Sequence, residues 1–193
     1  MITLQYLEDA TTSNKANAQT YLEGINAAII QFDINTHNRL SAFLATVAIE
    51  SAHLSTVEEG LFYSNAARLA SIFHRAFINE EAALPFVRNS SALDQKLYGG
   101  FHGRGLIQLT WEANYAACSK ALGVDFIANP RYLCQPMYAA LSAGWFWATH
   151  GCNEAADSGD MSLVTLHVNG PAKLALKERQ DQFVIALMEP EVA

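Results

Sequence analysis

Glu50 closes an apolar run, FLATVAIE, and two further carboxylates, Glu58 and Glu59, follow eight and nine positions later. Aliphatic neighbours disfavour ionisation and raise the pKa of a carboxyl group, which suits a general acid near neutral pH. The competing reading is that Glu50 turns to solvent in the last helical turn or pairs with an arginine. A second carboxylate across a cleft would complete the pair used in glycoside hydrolysis: one acid protonates the leaving oxygen, and the other activates water or attacks the sugar. Nine residues of unbroken helix would set the two groups about 13 Å apart on roughly opposite faces. The helix must therefore end soon after Glu50, and the chain must fold back. Ser51 to Thr56 supply the Ser/Thr content that permits a stop, and Thr56-Val57 suits an extended return. On an extended segment Glu58 and Glu59 point differently, and the residues alone do not choose between them.

The second stretch with chemical potential is FHGRGLIQLT, residues 101–110. Gly99, Gly100, Gly103 and Gly105 predict a tight, irregular segment lying close to a phosphate, a sugar or a neighbouring helix. A phosphate loop is disfavoured, because the Gly-x-Gly lacks a third glycine, a Lys-Ser/Thr ending and a preceding parallel-strand unit.

The elements that must position these residues are helical, since apolar residues recur mostly at helical spacing and strand-like alternation is scarce. Asn14 caps a helix running to about Phe32, and Asn35 or Thr36 caps the next, whose Leu40, Phe43, Leu44, Val47 and Ala48 form one stripe. Ser64 caps a helix over NAARLASIFHRAF with Leu69, Ile72 and Phe73 inward. Residues 85–108 read as irregular. A helix resumes after Thr110, its N-cap on this reading, and closes at Gly123. MYAALSAGWFWATHG is apolar nearly all round, as a central buried helix is. Two further helices, about 160–168 and 172–188, flank the breaker Asn169-Gly170-Pro171. The chain reads as mainly α and, over residues 1–193, as one domain, with no internal repeat or linker.

Composition narrows the chemistry. The net charge of −7 argues against a broad grip on nucleic acid. No stretch approaches the roughly 18 to 20 apolar residues that span a bilayer, and MITLQYLEDATT has no basic segment followed by a long apolar run, so no Sec signal is expected. Cys118, Cys134 and Cys152 form no C-x-x-C pair and read as free thiols, and the histidines lack metal-ligand spacing. No metal or other cofactor is expected.

Together these stretches resemble the chitinase and endolysin group of glycoside hydrolase family 19, within the lysozyme-like superfamily. FHGRGLIQLTWEANY is similar to the family's aromatic, x, Gly-Arg-Gly, x-Ile-Gln-Leu-Ser/Thr signature with Asn-Tyr close behind. AIESAHLSTVEEGLFYS resembles the catalytic segment in which a second Glu follows the first by nine residues and precedes Asn-Leu-Asn-Tyr-Ser. GVDFIANPRYL, the AGWFW helix, and VNG followed by Glu178-Arg179 fall in the family's order, so the likeness spans about residues 36–180. It implies a lysozyme-like fold with a two-lobed cleft and at most a small β-hairpin. It makes Glu50 the general acid and Glu59 the base of an inverting mechanism. Thr110 stands where a hydroxyl helps hold the attacking water. Gln108, Asn114, Asn169 and Tyr63 stand at sugar-binding positions, and Arg179 at an arginine that pairs with a catalytic carboxylate. The sequence departs from the pattern at Ile49, Ala52-His53, Gly60, Phe62, Ala113 and Pro171.

The resemblance leads to an expected peptidoglycan lysozyme, cleaving the β-1,4 bond between N-acetylmuramic acid and N-acetylglucosamine. Chitin hydrolysis and single-carboxylate lytic transglycosylation are the alternatives within the superfamily, and a glycan-binding module without turnover is the non-enzymatic one. The expected partner is the peptidoglycan glycan strand, met by a monomer with neither nucleic-acid binding nor stable membrane insertion. Such a protein would be made in the cytoplasm and act in the periplasm after phage-type release or injection. In the injected case a cognate immunity protein is expected.

Overall fold

The computed structural model describes residues 1–191, and these form a mostly helical molecule with almost no strand. Its α-helices are α1 (Leu4–Thr11), α2 (Lys15–Gln31), α3 (His37–Glu50), α4 (Ala66–Ile72), α5 (Glu80–Ala83), α6 (Ser90–Tyr98), α7 (Glu112–Leu122), α8 (Pro136–Thr149), α9 (Cys152–Asp157), α10 (Met161–Asn169) and α11 (Leu176–Leu187). Among the described residues no helix is long and apolar enough to cross a membrane. Among the described residues extended pairing is limited to the isolated antiparallel bridges Glu58 to Arg104 and Arg104 to Leu109, so even the small hairpin allowed from the sequence is reduced to bridge contacts.

Local signals set several boundaries. The Asn14 side chain accepts from the Asn17 N–H at the start of α2, and Thr36 does the same for Arg39 at the start of α3. Each satisfies an amide that the helix leaves without a partner. Gly123 ends α7 in the left-handed region at φ +68°. The α4 cap is Asn65 rather than Ser64, because the Asn65 carboxamide reaches the Arg68 N–H at 2.8 Å. Ile72, expected inside, is instead 45% exposed.

The main core joins α1, α2 and α3 with α8 to α11, and α3 lies against both α1 and α11. Its expected stripe of Leu40, Phe43, Leu44, Val47 and Ala48 is buried throughout. Phe43 meets Trp147 of α8 edge-on at 5.4 Å, a favourable aromatic geometry. A second, smaller core over residues 61–98 gathers Leu61, Leu69, Phe77, Ala83 and Leu93. A third places Leu109, Tyr115, Phe126 and Leu133 against Trp145. The segment from Gly99 to Trp111 runs between the small lobe and the rest. Cys118 and Cys152 are buried free thiols whose pKa burial pushes up to about 12, whereas Cys134 is only half-buried.

Candidate active site

The fold delivers the reversal that the carboxylate spacing demands. Ser51 stops α3: its hydroxyl donates to the Val47 carbonyl at 2.6 Å and accepts from the Leu54 N–H at 2.9 Å. Ala52, His53 and Leu54 then take left-handed angles, φ 47°, 57° and 61°. The chain returns extended, with the Val57 carbonyl accepting from the Gly105 N–H and the Glu59 N–H donating to the Gly103 carbonyl, both at 2.9 Å.

Glu50 therefore ends α3 at one wall of a pocket of about 230 Å³ shared with Gln108, Thr110, Trp111, Asn114 and Asn169. Its Oε1 accepts from Asn169 Nδ2 at 3.3 Å and from the Arg179 guanidinium. Arg179 is only 2% exposed; it also donates to Asn169 Oδ1 at 2.9 Å and, through Nε, to the Leu174 carbonyl at 3.3 Å. The apolar surroundings expected for Glu50 are present in Ile107, Leu109, Phe146 and Val168 of the same pocket, and an ion pair is added to them because α11 packs on α3 and brings Arg179 to the helix end.

Glu58 and Glu59 part company. Glu58 belongs to a polar cluster with Arg104 Nε at 3.0 Å, His102 Nε2 at 3.2 Å and Arg131 at 3.4 Å. Asp94 Oδ2 faces the other ring nitrogen of His102 at 2.8 Å, and Tyr115 Oη donates to the His102 carbonyl at 2.6 Å. Burial opposes ionisation of Glu58, yet the hydrogen bond from Arg104 and the charges of Arg104, Arg131 and His102 outweigh it and hold this carboxyl below the usual range. Glu59 instead faces Tyr98, whose Oη donates to Oε1 at 2.8 Å, and the Gly103 N–H, which donates to Oε2 at 3.3 Å. Burial and this hydrogen bond both raise the Tyr98 pKa, so the phenol keeps its proton and acts as a donor.

Gly103 is the hinge of the arrangement. A Cβ there would lie 2.8 Å from Gln108 Oε1, 3.3 Å from Gln108 Cβ and 3.4 Å from Thr110 Oγ1, so a larger residue would push the Gln108 side chain away from its place in the pocket floor. Gly105, at φ +82°, passes equally close to Ser142 of α8, where a Cβ would meet Oγ at 2.8 Å. The floor is fixed by its own bonds: Gln108 Nε2 donates to the Gly105 carbonyl at 3.1 Å, Thr110 Oγ1 to the Gln108 carbonyl at 2.9 Å, and Asn114 Nδ2 to the Thr110 carbonyl at 2.8 Å. Thr110 does not cap α7, since the N-cap position falls on Trp111, which makes no side-chain cap bond.

Of the residues singled out from the sequence, Glu50, Gln108, Thr110, Asn114 and Asn169 line one pocket, Arg179 backs it, and Glu59 joins through Gly103. Tyr63 lies apart from that pocket; its ring packs edge-on against Phe73 at 5.7 Å in the small lobe. Tyr98 and Trp111 were not singled out. Their signal was an aromatic residue on either side of the glycine-rich stretch.

The chain is similar to several known proteins. Endochitinase CHI of Arabidopsis thaliana is 32% identical over 112 residues, 58% of this chain and 35% of that protein. Endochitinase 1 of Theobroma cacao is 48% identical over 50 residues, 25% of this chain and 16% of that protein. The matched parts therefore span only 35% and 16% of these plant proteins. Among solved structures, chitinase C from Streptomyces griseus HUT6037 superposes with a TM-score of 0.63 at 19% identity, over 97% of this chain and 75% of that one, a likeness of fold. The family model for chitinase class I, glycoside hydrolase family 19, matches residues 11–164. Covering most of the chain, that match makes the protein a member of glycoside hydrolase family 19, the chitinase class I family.

Proposed function

We propose that the protein is a glycoside hydrolase that cleaves β-1,4-linked N-acetylglucosamine polymers of the chitin type by inversion. The observation that carries this reading is that the Gly103 to Thr110 stretch bonds Glu59 through the Gly103 N–H at one end and lines the Glu50 pocket at the other, each carboxylate having a different polar setting. Glu50 is the general acid. Once it has given its proton to the leaving oxygen, the Arg179 guanidinium and the Asn169 amide stabilise the carboxylate left behind. Glu59 is the base that takes a proton from water. Its two oxygens accept from Tyr98 Oη and the Gly103 N–H, contacts that orient the carboxylate. Thr110 holds the attacking water, while Gln108, Asn114 and Asn169 bind the sugar from the pocket wall.

The chitin assignment takes precedence over the peptidoglycan lysozyme expected from the sequence, because the plant relatives are named endochitinases. Peptidoglycan shares the N-acetylglucosamine β-1,4 chemistry and remains the second reading, favoured by the basic residues Arg75 and His74 beside the cleft.

The test is reducing-end release from N-acetylglucosamine hexamer by wild type, Glu50→Gln and Glu59→Gln, with the first product anomer read by NMR. Wild-type release of the α-anomer, and loss of at least about 100-fold in each variant, is expected. Full activity of Glu59→Gln would end the two-carboxylate reading. 1,6-Anhydro products from peptidoglycan would assign transglycosylation instead.

A further inference from the structure

Trp111 is 54% exposed and is held out of the core by its own backbone. Its φ of 79° with ψ 140° is unusual for a residue with a Cβ, and it is fixed by donation of the Trp111 N–H to the Phe101 carbonyl at 2.8 Å. Strained backbone of this kind persists where the surroundings over-determine it, and it concentrates at ligand clamps. The indole packs against the ring of Tyr98 at 5.3 Å, the same Tyr98 whose hydroxyl donates to Glu59.

Trp111 also belongs to two pockets at once. One is the Glu50 pocket, and the other, of about 390 Å³, is formed with Phe73, His74, Arg75, Leu97 and Tyr98 of the small lobe. That volume falls within the range of roughly 300 to 1,000 Å³ typical of small-molecule sites. An aromatic floor suits the apolar face of a sugar ring. The rim is basic: Arg75 and His74 are exposed, and neither has an ion-pair partner among the described residues. Residues 61–98 carry four Lys or Arg and three acidic side chains in a chain whose net charge is −7 with histidine neutral, so the small lobe departs from the acidic remainder. A guanidinium offers paired donors that match a carboxylate, which a neutral sugar does not need.

Resting on the glycosidase reading above, we infer that this second pocket is an accessory subsite for a hexosamine bearing a carboxylate, with Trp111 and Tyr98 under the ring and Arg75 on the carboxylate. The subsite continues the cleft past Trp111 and extends its acceptance from neutral glycans to acidic ones.

The test compares wild type, Arg75→Gln and Trp111→Ala on a neutral N-acetylglucosamine hexamer and on peptide-free glycan strands whose N-acetylmuramic acid keeps its lactyl carboxylate. Arg75→Gln is expected to lower kcat/KM on the lactyl-bearing strands about tenfold more than on the hexamer. Equal effects on both substrates, or none on either, would overturn the subsite. Wild type that cleaves the hexamer and leaves the strands intact would also overturn it, with the glycosidase reading still standing. Binding is read separately by tryptophan fluorescence with the disaccharide of N-acetylglucosamine and N-acetylmuramic acid, since Trp145 and Trp147 are 8% and 0% exposed and Trp111 dominates any surface quenching. Quenching that disappears in Trp111→Ala and needs about tenfold more disaccharide in Arg75→Gln supports the subsite even if no substrate turns over and the glycosidase reading fails. Absence of quenching in wild type would overturn it.

Discussion

Arg179 of α11 meets Glu50 at the end of α3 across 129 residues of chain, and the arginine is buried while the Glu50 side chain is 17% exposed. Removing one partner of such a pair leaves a desolvated charge without its counterion. Arg179→Ala should therefore lose about 3–5 kcal/mol of unfolding free energy in urea, along with turnover. The double variant with Glu50→Gln should recover part of the stability and none of the activity, a coupling that a double-mutant cycle measures. A wild-type urea midpoint for Arg179→Ala would remove this contact from the account of the site.

Tyr98→Phe isolates the hydrogen bond to Glu59, since the ring and its packing on Trp111 remain. Hydrogen bonds to charged groups contribute roughly 1.5–3 kcal/mol, so kcat on the hexamer should fall by about tenfold or more while the circular dichroism spectrum is kept. Unchanged kcat would mean that Glu59 is oriented well enough by the Gly103 N–H alone.

What the sequence reveals is local, and what it conceals is set by distant contacts. The caps at Asn14, Thr36 and Gly123 and the apolar faces of α3 and α8 follow from residues within one or two turns of each other. Helix α6 was obscured, because Gly99, Gly100, Gly103 and Gly105 dominate residues 85–108 and Ser90–Tyr98 offers a single fully buried residue, Leu93. Its stability comes from packing in the small core rather than from its own propensity. The choice between Glu58 and Glu59 was likewise out of reach of residue types alone: it rests on Arg104, 46 positions away from Glu58, and on Tyr98, 39 positions away from Glu59. Only the resemblance to a family pattern distinguished the two.

Glu58 gives the fold a pH dependence of definite sign. Its carboxyl is held below the usual carboxylate range by Arg104, Arg131 and His102 against the opposing effect of burial. The folded state therefore binds this proton more weakly than the unfolded chain does, so the contribution is complete above the unfolded pKa and is lost as pH falls through the lower folded value. Wild type should lose Tm on acidification below about pH 4.5 more steeply than Glu58→Gln, which should be less stable near neutrality and flatter in acid. Parallel Tm profiles for the two proteins would contradict the assignment of Glu58 to the Arg104 cluster.

Thr110 offers a separation of scaffold from chemistry. Its hydroxyl donates to the Gln108 carbonyl at 2.9 Å and caps nothing, so Thr110→Val should cost only about 1 kcal/mol of stability. If the hydroxyl also holds the attacking water, kcat should fall by at least about tenfold, a larger change in activation free energy than in stability. Wild-type turnover in a folded Thr110→Val protein would make the residue part of the pocket wall and nothing more.

The turn after Glu50 carries strain that one substitution should release. Ala52, His53 and Leu54 all have positive φ, yet two of them have compensating contacts: His53 Nδ1 is 2.8 Å from the Thr11 carbonyl oxygen, and Leu54 is 1% exposed in the core. Ala52 is exposed, and its methyl group crowds a left-handed backbone at φ 47° with no burial in return. Glycine relieves that crowding but enlarges the freedom of the unfolded chain, and the two effects leave a net gain of roughly 0.5 kcal/mol. Ala52→Gly should raise Tm by about 1–2 °C with hexamer turnover retained, whereas His53→Gly should lower Tm because the bond to Thr11 is lost. A lower Tm for Ala52→Gly would mean that the methyl group limits the unfolded chain more than it strains the turn, and the left-handed run would then be a low-energy route back to Glu59.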